Sequence, residues 1–279
     1  MVSMNKLATA DRVRVIAALV EGCSIRATVR IPGVAKNTVV KLLANLGTAC
    51  SAYHDQHVRG LTTKRIQCDE IWSFCYAKAK NVPAEKKGQF GYGDVWTWTA
   101  LDADSKLMVG YMLGTRDSDT ARAFMSDVAE RVTSRVQVTT DGHSSYFDTV
   151  GDAFNWDVDY TMLIKIYGPN TGGSAGGKYS PPPCIGVKHQ PICGNPDPKH
   201  ISTSFVERQN LTMRMGMRRF TRLTNAFSKK LENHASAIAL HFMHYNFCRV
   251  HQTLRVTPAM AAGLADHVWE LDELVALLG

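Results

Sequence analysis

The chain has 279 residues, a formal net charge of +7 and a sequence pI near 9.0. Its content of 45% apolar and 20% charged residues is ordinary for a globular chain, and it is long enough for one sizeable core and a small accessory domain. Residues 1–65 hold ten Lys/Arg against three Asp/Glu, so the positive charge is concentrated there. This distribution favours a polyanionic partner, and nucleic acid over a membrane surface.

Two further features of the composition concern the compartment. No apolar run approaches the roughly 18 residues of a membrane span, and the first residues lack the pattern of a secretory leader. The seven cysteines show no CxxC spacing. We therefore expect a protein of the reducing cytoplasm with no membrane partner and, given its basic charge, an association with the nucleoid.

Residues 8–47 carry the pattern of three short helices. Val13, Ile16 and Val20 recur on one helical face, and Gly22 follows where that helix would end. Ser24 is suited to cap a second helix, and a third is predicted to begin near residues 37–38. This is a helix-turn-helix pattern, although three basic helices also occur as plain packing modules. Its exposed face is expected to contact DNA through Lys36, Asn37, Thr38, Lys41 and Asn45.

The chain from residue 66 onward changes to the period of strands. Segments 66–77, 95–104 and 106–114 are rich in β-branched and aromatic residues and are separated by glycines and a turn. A helix at 118–132, a strand at 136–141, a short helix at 144–150 and a strand at 159–168 are predicted to follow. This order predicts a mixed α/β sheet flanked by helices.

The segment from 168 to 200 interrupts this order. It holds seven of the ten prolines and seven glycines, which predicts a long loop. Its cysteines and histidines lack the spacing of a tight zinc-ligand pair, so a surface loop is favoured over a zinc site. Helices are predicted again at 204–219 and 228–247, and an acidic one at 267–278 that packs against the core or a partner.

Three acidic residues lie where such a fold can bring them together. Asp69 is inside the first strand, Asp141 ends the fourth, and Glu207 is on the helix after the loop. Groups at the carboxyl ends of central strands meet at one crevice. Three carboxylates repel each other unless a cation joins them, and Mg²⁺ is suited to that position. Each acid alone also has an ordinary explanation as a turn, ion-pair or solvated residue, and Glu70 is expected to point to the opposite face.

Four segments carry a resemblance to a known family: CDEIW, TTDGHSSY, STSFVERQNLTMR and YNFCRVHQTLRVTP. In combination they closely resemble the DDE transposases of bacterial insertion sequences, and the insertion-sequence-one type in particular. The resemblance covers about residues 60–262. It implies a ribonuclease-H-like core at 61–262, preceded by an all-α helix-turn-helix domain at 1–60 and followed by an acidic C-terminal helix at 263–279.

The resemblance also implies a function. Asp69, Asp141 and Glu207 would be the catalytic triad and would hold two Mg²⁺ or Mn²⁺ ions for cleavage of transposon ends and transfer of the 3′-OH to target DNA. Both ends must be held together, so at least a homodimer is implied. The chain departs from some relatives in lacking an N-terminal CxxC zinc ribbon and in its long proline- and glycine-rich segment.

Several other residues are expected near the reacting phosphates. On one continuous helix, Glu207, Arg214 and Arg218 would share a face, so that the arginines hold phosphates beside the acid. Arg208 and Asn210 are expected to contact DNA as well, and His143 is an auxiliary candidate. The last motif, YNFCRVHQTLRVTP, is expected to fix the end of a helix and the turn that follows it, with Pro258 in a first helical turn.

Two other functions stay open on the sequence. A transposase-derived protein can bind DNA and regulate without cutting, although three intact acids argue against it. A nuclease or resolvase acting on branched nucleic acid shares the metal site but has less use for a helix-turn-helix. Metal-dependent strand cleavage distinguishes a transposase from the regulator. A preference for terminal repeats distinguishes a transposase from the nuclease or resolvase.

Overall fold

The fold is built around one mixed β-sheet. The computed structural model describes residues 7–168, 182–221 and 224–279. Among these residues six strands form a sheet in the order β3-β2-β1-β4-β5-β6. The strands are β1 (Arg65–Cys75), β2 (Gly93–Asp102), β3 (Met108–Gly114), β4 (Gln137–Asp141), β5 (Asp159–Tyr167) and β6 (Cys184–Cys193).

The strand directions follow from the connections. β1, β2 and β3 are antiparallel neighbours, whereas β4 and β5 run parallel to β1. Each parallel pair is joined through a helix, because a parallel connection must cross back over the sheet. The predicted fold class is confirmed as a mixed sheet flanked by helices, and the order is consistent with the ribonuclease-H-like fold that the resemblance implies.

The sixth strand corrects the prediction of one long loop from 168 to 200. β6 pairs antiparallel with β5 along most of its length. Sequence reasoning missed it because prolines and glycines surround it, and Pro191 falls within it at the edge of the sheet, where a strand tolerates a missing donor. Residues 169–181 lie outside the described residues. Cys184, His189 and Cys193 lie along this strand, and in the described ranges they form no metal-ligand cluster.

Nine α-helices surround the sheet in the described ranges. They are α1 (Thr9–Val20), α2 (Ile25–Arg30), α3 (Lys36–His57), α4 (Ser118–Arg131), α5 (Tyr146–Ala153), α6 (Ser204–Gly216), α7 (Leu231–Met243), α8 (Pro258–Ala261) and α9 (Leu271–Ala276). On one face of β1, Gln67 accepts hydrogen bonds from the first turn of α6. On the other face Trp98 packs against α4 and α5. Each helix in this part of the chain is too short or too polar to cross a bilayer.

The three N-terminal helices pack directly on the rest of the protein. Ser24 caps α2 as predicted, by accepting a hydrogen bond from the Ala27 amide. A Cβ atom at Gly47 of α3 would lie 2.4 Å from Ser236 of α7, and one at Gly22 would lie 2.5 Å from the Gly216 carbonyl oxygen of α6. These distances are too short for any side chain. Glycines therefore allow the helices to approach closely, and the buried residues form one continuous core from α1 to α9.

The C-terminal helices are shorter than predicted. α7 ends at Met243 and continues as a π-turn over His244–Cys248. α9 begins at Leu271, where Glu270 and Glu273 form a capping box, and it packs on α1 through buried Leu274 and Val275. The sequence left the partner of this acidic helix open, and the structure shows that it is the N-terminal helix of the same chain.

The last sequence motif ties the C-terminal region to the sheet. Asn246 is fully buried, and its side chain accepts a hydrogen bond from the Met108 amide at 2.9 Å and donates one to the Met108 carbonyl at 3.0 Å. The Tyr245 hydroxyl donates to the Lys106 carbonyl at 2.8 Å. Thr257 caps α8, with Pro258 in its first turn as predicted. The motif thus has a structural task at the start of β3.

Asn246→Ala is expected to lower the free energy of unfolding by about 1–3 kcal/mol, because the buried Met108 amide loses its partner, while the Met108 carbonyl keeps its contact with His54 Nε2. Denaturant unfolding measures the change. Asn45→Ala, at an exposed site on α3, is the control and is expected to change stability by less than about 0.5 kcal/mol. Equal effects of the two substitutions would contradict the structural task assigned to Asn246.

Candidate active site

Three carboxylates meet where β4 ends beside the middle of β1. Oxygen atoms of Asp69, Glu70 and Asp141 lie within 4.8 Å of one another. The pairing of β1 with β4 ends at Cys68 and Thr140, so the next residue of each strand stands at the edge of the paired region. Two of the three predicted acids are therefore brought together by parallel strand pairing. We call Asp69, Glu70 and Asp141 the acid cluster.

Glu70 was expected to stay away from this site, and that expectation is wrong. Its side chain does start from the opposite face of β1, since alternate residues of a strand face opposite sides. However, β4 ends at Asp141, so on that side β1 has no paired strand beyond Cys68, while β2 remains paired on the other side. The longer glutamate side chain reaches the same edge, with only 1% of its side chain exposed.

Asp69 is held in place by two hydrogen bonds. Its Oδ1 accepts from the Glu70 amide at 2.9 Å, and its Oδ2 accepts from the Asn210 side chain at 2.9 Å. Asn210 is buried on α6, and the Thr99 hydroxyl lies 3.5 Å from its carbonyl oxygen. The expected contact of Asn210 with DNA is corrected accordingly. Its amide positions the catalytic candidate, because the α6 face that carries it packs on the sheet.

Burial and mutual repulsion set the protonation of the acid cluster. Burial, and then the charge of Asp141, raises the pKa of Asp69 to about 7. The same two causes in the same order raise the pKa of Glu70 to about 7. Carboxylates crowded in this way gain from a nearby positive charge. The cluster is therefore electrostatically suited to a cation.

Arg116 is a resident cation that sequence reasoning missed. Its guanidinium lies 3.1 Å from Glu70 Oε2 and 3.8 Å from Asp141 Oδ2, and it stacks 4.7 Å from the Trp96 ring centroid. It follows β3 and precedes α4, in a turn with no motif that would have identified it. The fold brings it to the cluster because β3 and β1 flank β2 in the sheet.

Glu207 lies beside the acid cluster and has a different partner. Both of its carboxylate oxygens accept hydrogen bonds from Lys165 Nζ on β5, each at 2.5 Å, and Thr203 donates a third. Its charge still contributes to the raised pKa of Asp69. Burial lowers the pKa of Lys165, but the ion pair with Glu207 outweighs it and the net pKa is raised. Lys165 is a second cation that the sequence did not reveal.

The auxiliary candidate His143 stands at the turn after β4. Its backbone amide donates to Asp141 Oδ1 at 2.9 Å, which orients that carboxylate. Burial, followed by the charge of Arg116, lowers the pKa of its imidazole. The ring packs edge-on against Trp98. The established contact of His143 with the site is thus through its backbone.

The polar and basic residues predicted to contact DNA lie on α3 and in the α6 region. The five on the N-terminal helices, Lys36, Asn37, Thr38, Lys41 and Asn45, are all exposed along the first turns of α3. Arg208 is exposed on α6, and Arg214 is half-buried. Arg218 is not on α6: the helix ends at Gly216 and Met217 is extended, so Arg218 lies in a 3-10 turn. The prediction that Glu207, Arg214 and Arg218 share one helical face is therefore wrong for Arg218, and only Glu207 and Arg214 are on α6.

The acid cluster fits a hard divalent cation. All of its donor atoms are oxygens, and such ions are bound by a few carboxylates with water and phosphate completing the shell. Glu70 Oε1 is buried, and the buried Tyr146 hydroxyl beside that carboxyl lowers its pKa against the larger effect of burial. Asp69 and Asp141 are the residues best placed to hold the ion, with Glu70 beside them.

Comparison with known proteins gives only distant likenesses. No family model and no curated protein matches the chain. A piggyBac transposase synaptic complex with hairpin DNA is 12% identical over 100% of this chain and 73% of that chain, with a TM-score of 0.42. A Mos1 transposase paired-end complex with the left transposon end is 12% identical over 54% of this chain and 57% of that chain, with a TM-score of 0.24. The Mos1 strand transfer complex is 11% identical over 86% and 78%, with a TM-score of 0.25. At these values the likenesses do not identify a family or an activity.

The raised pKa values of Asp69 and Glu70 predict a pH-dependent stability. In the folded state Asp69 and Glu70 keep protons up to about pH 7, whereas in the unfolded chain they release them near pH 4. The folded state then binds more protons, so the free energy of unfolding is expected to fall as pH rises from about 4 to about 7. Urea unfolding in a chelator across this range measures the decline.

Asp69→Asn is expected to flatten this decline and to raise stability at neutral pH, because it removes one of the repelling charges. Asp148→Asn, at an exposed position on α5, leaves the cluster intact and should keep the wild-type profile. If stability depends on pH in the same way in wild type and in Asp69→Asn, the charge of Asp69 does not cause the decline.

Proposed function

We propose that the protein is a DDE-type DNA transposase of the insertion-sequence-one kind, which cleaves transposon ends and joins the 3′-OH to target DNA. The observation that carries the proposal is the acid cluster, in which carboxylate oxygens lie within 4.8 Å of one another on a chain of net charge +7. Asp69 and Glu70 come from the CDEIW motif and Asp141 from the TTDGHSSY motif. Two of the resembling segments thus meet in space.

In this proposal Asp69 and Asp141 hold the divalent ions, and Glu207 is their third acid. Two bound Mg²⁺ or Mn²⁺ ions would supply an activated water and stabilise the leaving oxygen. Asn210 and the Glu70 amide would keep the Asp69 carboxylate fixed for an ion. Arg116, which contacts Glu70 and Asp141, is proposed to hold a phosphate of the DNA.

The exposed start of α3 is proposed to read the transposon ends. Its polar residues, Lys36, Asn37, Thr38, Lys41 and Asn45, are free of the core and combine amides for base edges with ammonium groups for phosphates. Arg208 and Arg214 on α6 are proposed to hold the backbone near the acids. Because two ends must be cleaved and joined together, we also propose that at least two copies act together.

A second function is favoured by one observation. Glu207 is engaged by Lys165 and not by the acid cluster, an arrangement that needs no metal. A transposase-derived regulator that binds DNA without cutting it would have this property. The two functions differ in whether Glu207 leaves Lys165 when metal and DNA are bound.

The experiment that tests the proposal uses the full chain with the DNA that flanks its gene. Labelled fragments bearing the inverted repeats are incubated with Mg²⁺ or Mn²⁺, and with a chelator as the control. Cleavage at the repeat boundary that requires the ion supports a transposase. Specific binding to the repeats with no cleavage under any condition supports the regulator, and cleavage of branched DNA without preference for repeats supports the nuclease.

A further inference from the structure

A large groove lies beside the place where the N-terminal helices pack on α6 and α7. It has a volume of about 1500 Å³ and is lined by the ends of α1 and α6, the starts of α2, α3 and α7, and the segments after β1 and before α7. This volume exceeds the roughly 300–1,000 Å³ of pockets that hold small molecules. A length of polymer is therefore a better match for the groove than a metabolite.

The charge of the groove is entirely positive. Eight of its lining residues are Lys or Arg, among them Lys78, Lys80, Arg218 and Lys230, and none is Asp or Glu. In the described part of the chain none of the eight forms an ion pair with a carboxylate. Uncompensated cations on facing walls repel each other, and they select a polyanion.

Two helix starts add to this potential. Lys36 and Asn37 at the start of α3, and Lys230 and Asn233 at the start of α7, line the groove. Neither helix has a side chain that caps its first turn. The amide groups of a first turn carry partial positive charge and are common phosphate-binding groups. These amide groups add to the preference of the eight cations for a polyanion.

Aromatic rings lie between the cations. Tyr76 and Phe227 line the groove and are half-buried, and Phe74 packs behind Phe227 with ring centroids 4.7 Å apart. Lys229, which lines the groove, is 3.4 Å from the Phe227 centroid, whereas the lysine on Tyr76 is Lys86, at 4.4 Å and outside the groove lining. Cations with interleaved rings are the arrangement that binds single-stranded nucleic acid.

From this combination we infer that the groove binds an unpaired segment of DNA strand, with its phosphates on the lysines and arginines and at least one base stacked on Phe227. The inference extends the proposed function, because Lys36 and Asn37 join the groove to the duplex-reading start of α3. A duplex keeps its bases stacked inside and would contact only the rim. The rings on the walls are of use only to bases that have left the helix.

Replacing the lysine on an aromatic ring by a stacked DNA base favours binding of the strand. An exposed cation–π contact contributes about two- to fivefold to an equilibrium, whereas a stacked base contributes on the order of 5- to 150-fold. The displaced ammonium group stays next to the strand and can pair with a phosphate. Lys229 thus covers the Phe227 ring only until a strand enters.

The groove lies a few nucleotides from the acid cluster. Along β1, Phe74 is five residues beyond Asp69, about 16 Å at the rise of a strand. Along α6, Gly216 is nine residues beyond Glu207, about 13 Å at the rise of a helix. At about 3.4 Å per nucleotide of a stacked strand, the groove would hold DNA some four or five nucleotides from the reacting phosphate.

Binding of labelled oligothymidine and of a duplex of equal length tests the inference, with the full chain in a chelator and over a salt series. Phe227→Leu keeps apolar bulk but removes the stacking face, so it should weaken single-strand binding about tenfold and leave duplex binding unchanged. Replacing Lys78 and Lys80 together by glutamine should lower the single-strand salt slope by about 1.4, since each phosphate contact contributes about 0.7.

Matched controls lie outside the groove. Phe90→Leu alters an exposed aromatic residue, and Lys87→Gln with Lys188→Gln removes two exposed lysines. If these changes weaken single-strand binding as much as the groove variants do, the inference is overturned. Equal losses of duplex and single-strand affinity in Phe227→Leu would also overturn it. No step of this assay requires cleavage. If the protein does not cleave transposon ends but the groove variants still lose single-strand binding, the transposase proposal is refuted and the inference about the groove stands.

Discussion

Replacing Asp69 or Asp141 by asparagine is expected to lower metal-dependent strand cleavage at least about 1,000-fold. A bound ion contributes several kcal/mol of transition-state stabilisation, and each 1.36 kcal/mol is a factor of ten in rate. Asparagine keeps the size of the side chain and removes its charge. Both acids stand in the acid cluster, where oxygens of the three carboxylates are within 4.8 Å of one another.

The measurement is the rate of cleavage of repeat-bearing DNA at saturating Mg²⁺, together with binding of the same DNA in a chelator. DNA binding should persist or strengthen, because a negative charge near phosphate has been removed. Stability at neutral pH should rise in Asp69→Asn, which separates a lost ligand from a failure to fold. The control, Asp148→Asn, should cleave at the wild-type rate. Wild-type cleavage by Asp69→Asn or Asp141→Asn would remove the acid cluster from the chemistry.

Glu207→Gln is expected to lower cleavage by at least about 100-fold if this acid completes the metal site, since a lost ligand costs several kcal/mol of stabilisation. Its effect on folding should be small. The ion pair with Lys165 is about one-third exposed on both sides, and such pairs contribute roughly 0–1 kcal/mol. Cleavage and stability should therefore separate clearly in this variant, with DNA binding in a chelator retained.

Lys165→Gln is the informative partner of Glu207→Gln. It frees both oxygens of Glu207 from the ammonium group. A metal-binding Glu207 would then be more available, so the affinity for Mn²⁺, followed by titration calorimetry, should rise in Lys165→Gln and fall in Glu207→Gln. If both substitutions leave Mn²⁺ affinity and cleavage unchanged, Glu207 is only the partner of Lys165, and the regulator becomes the better account.

Most of the secondary structure was predictable because its signals are local. The helical stripe of Val13, Ile16 and Val20 belongs to α1, and the Ser24 cap begins α2, both within a few residues of where the pattern placed them. Element ends were less predictable. Extended Met217 ends α6 before Arg218 although the sequence continues with helix-forming residues. β6 was missed because its pairing with β5, and not its own composition, makes it a strand.

The sequence by itself determined the mixed α/β order, the basic N-terminal helices and the placement of Asp69 inside the first strand and of Asp141 at the end of the fourth. These follow from periodicity and charge. Only the tertiary structure decided which side chains surround those acids. Asn210 reaches Asp69 across 141 residues, Arg116 reaches Glu70 across 46, and Lys165 reaches Glu207 across 42. Such contacts depend on how strands and helices pack, and no local pattern records a partner that distant in the chain.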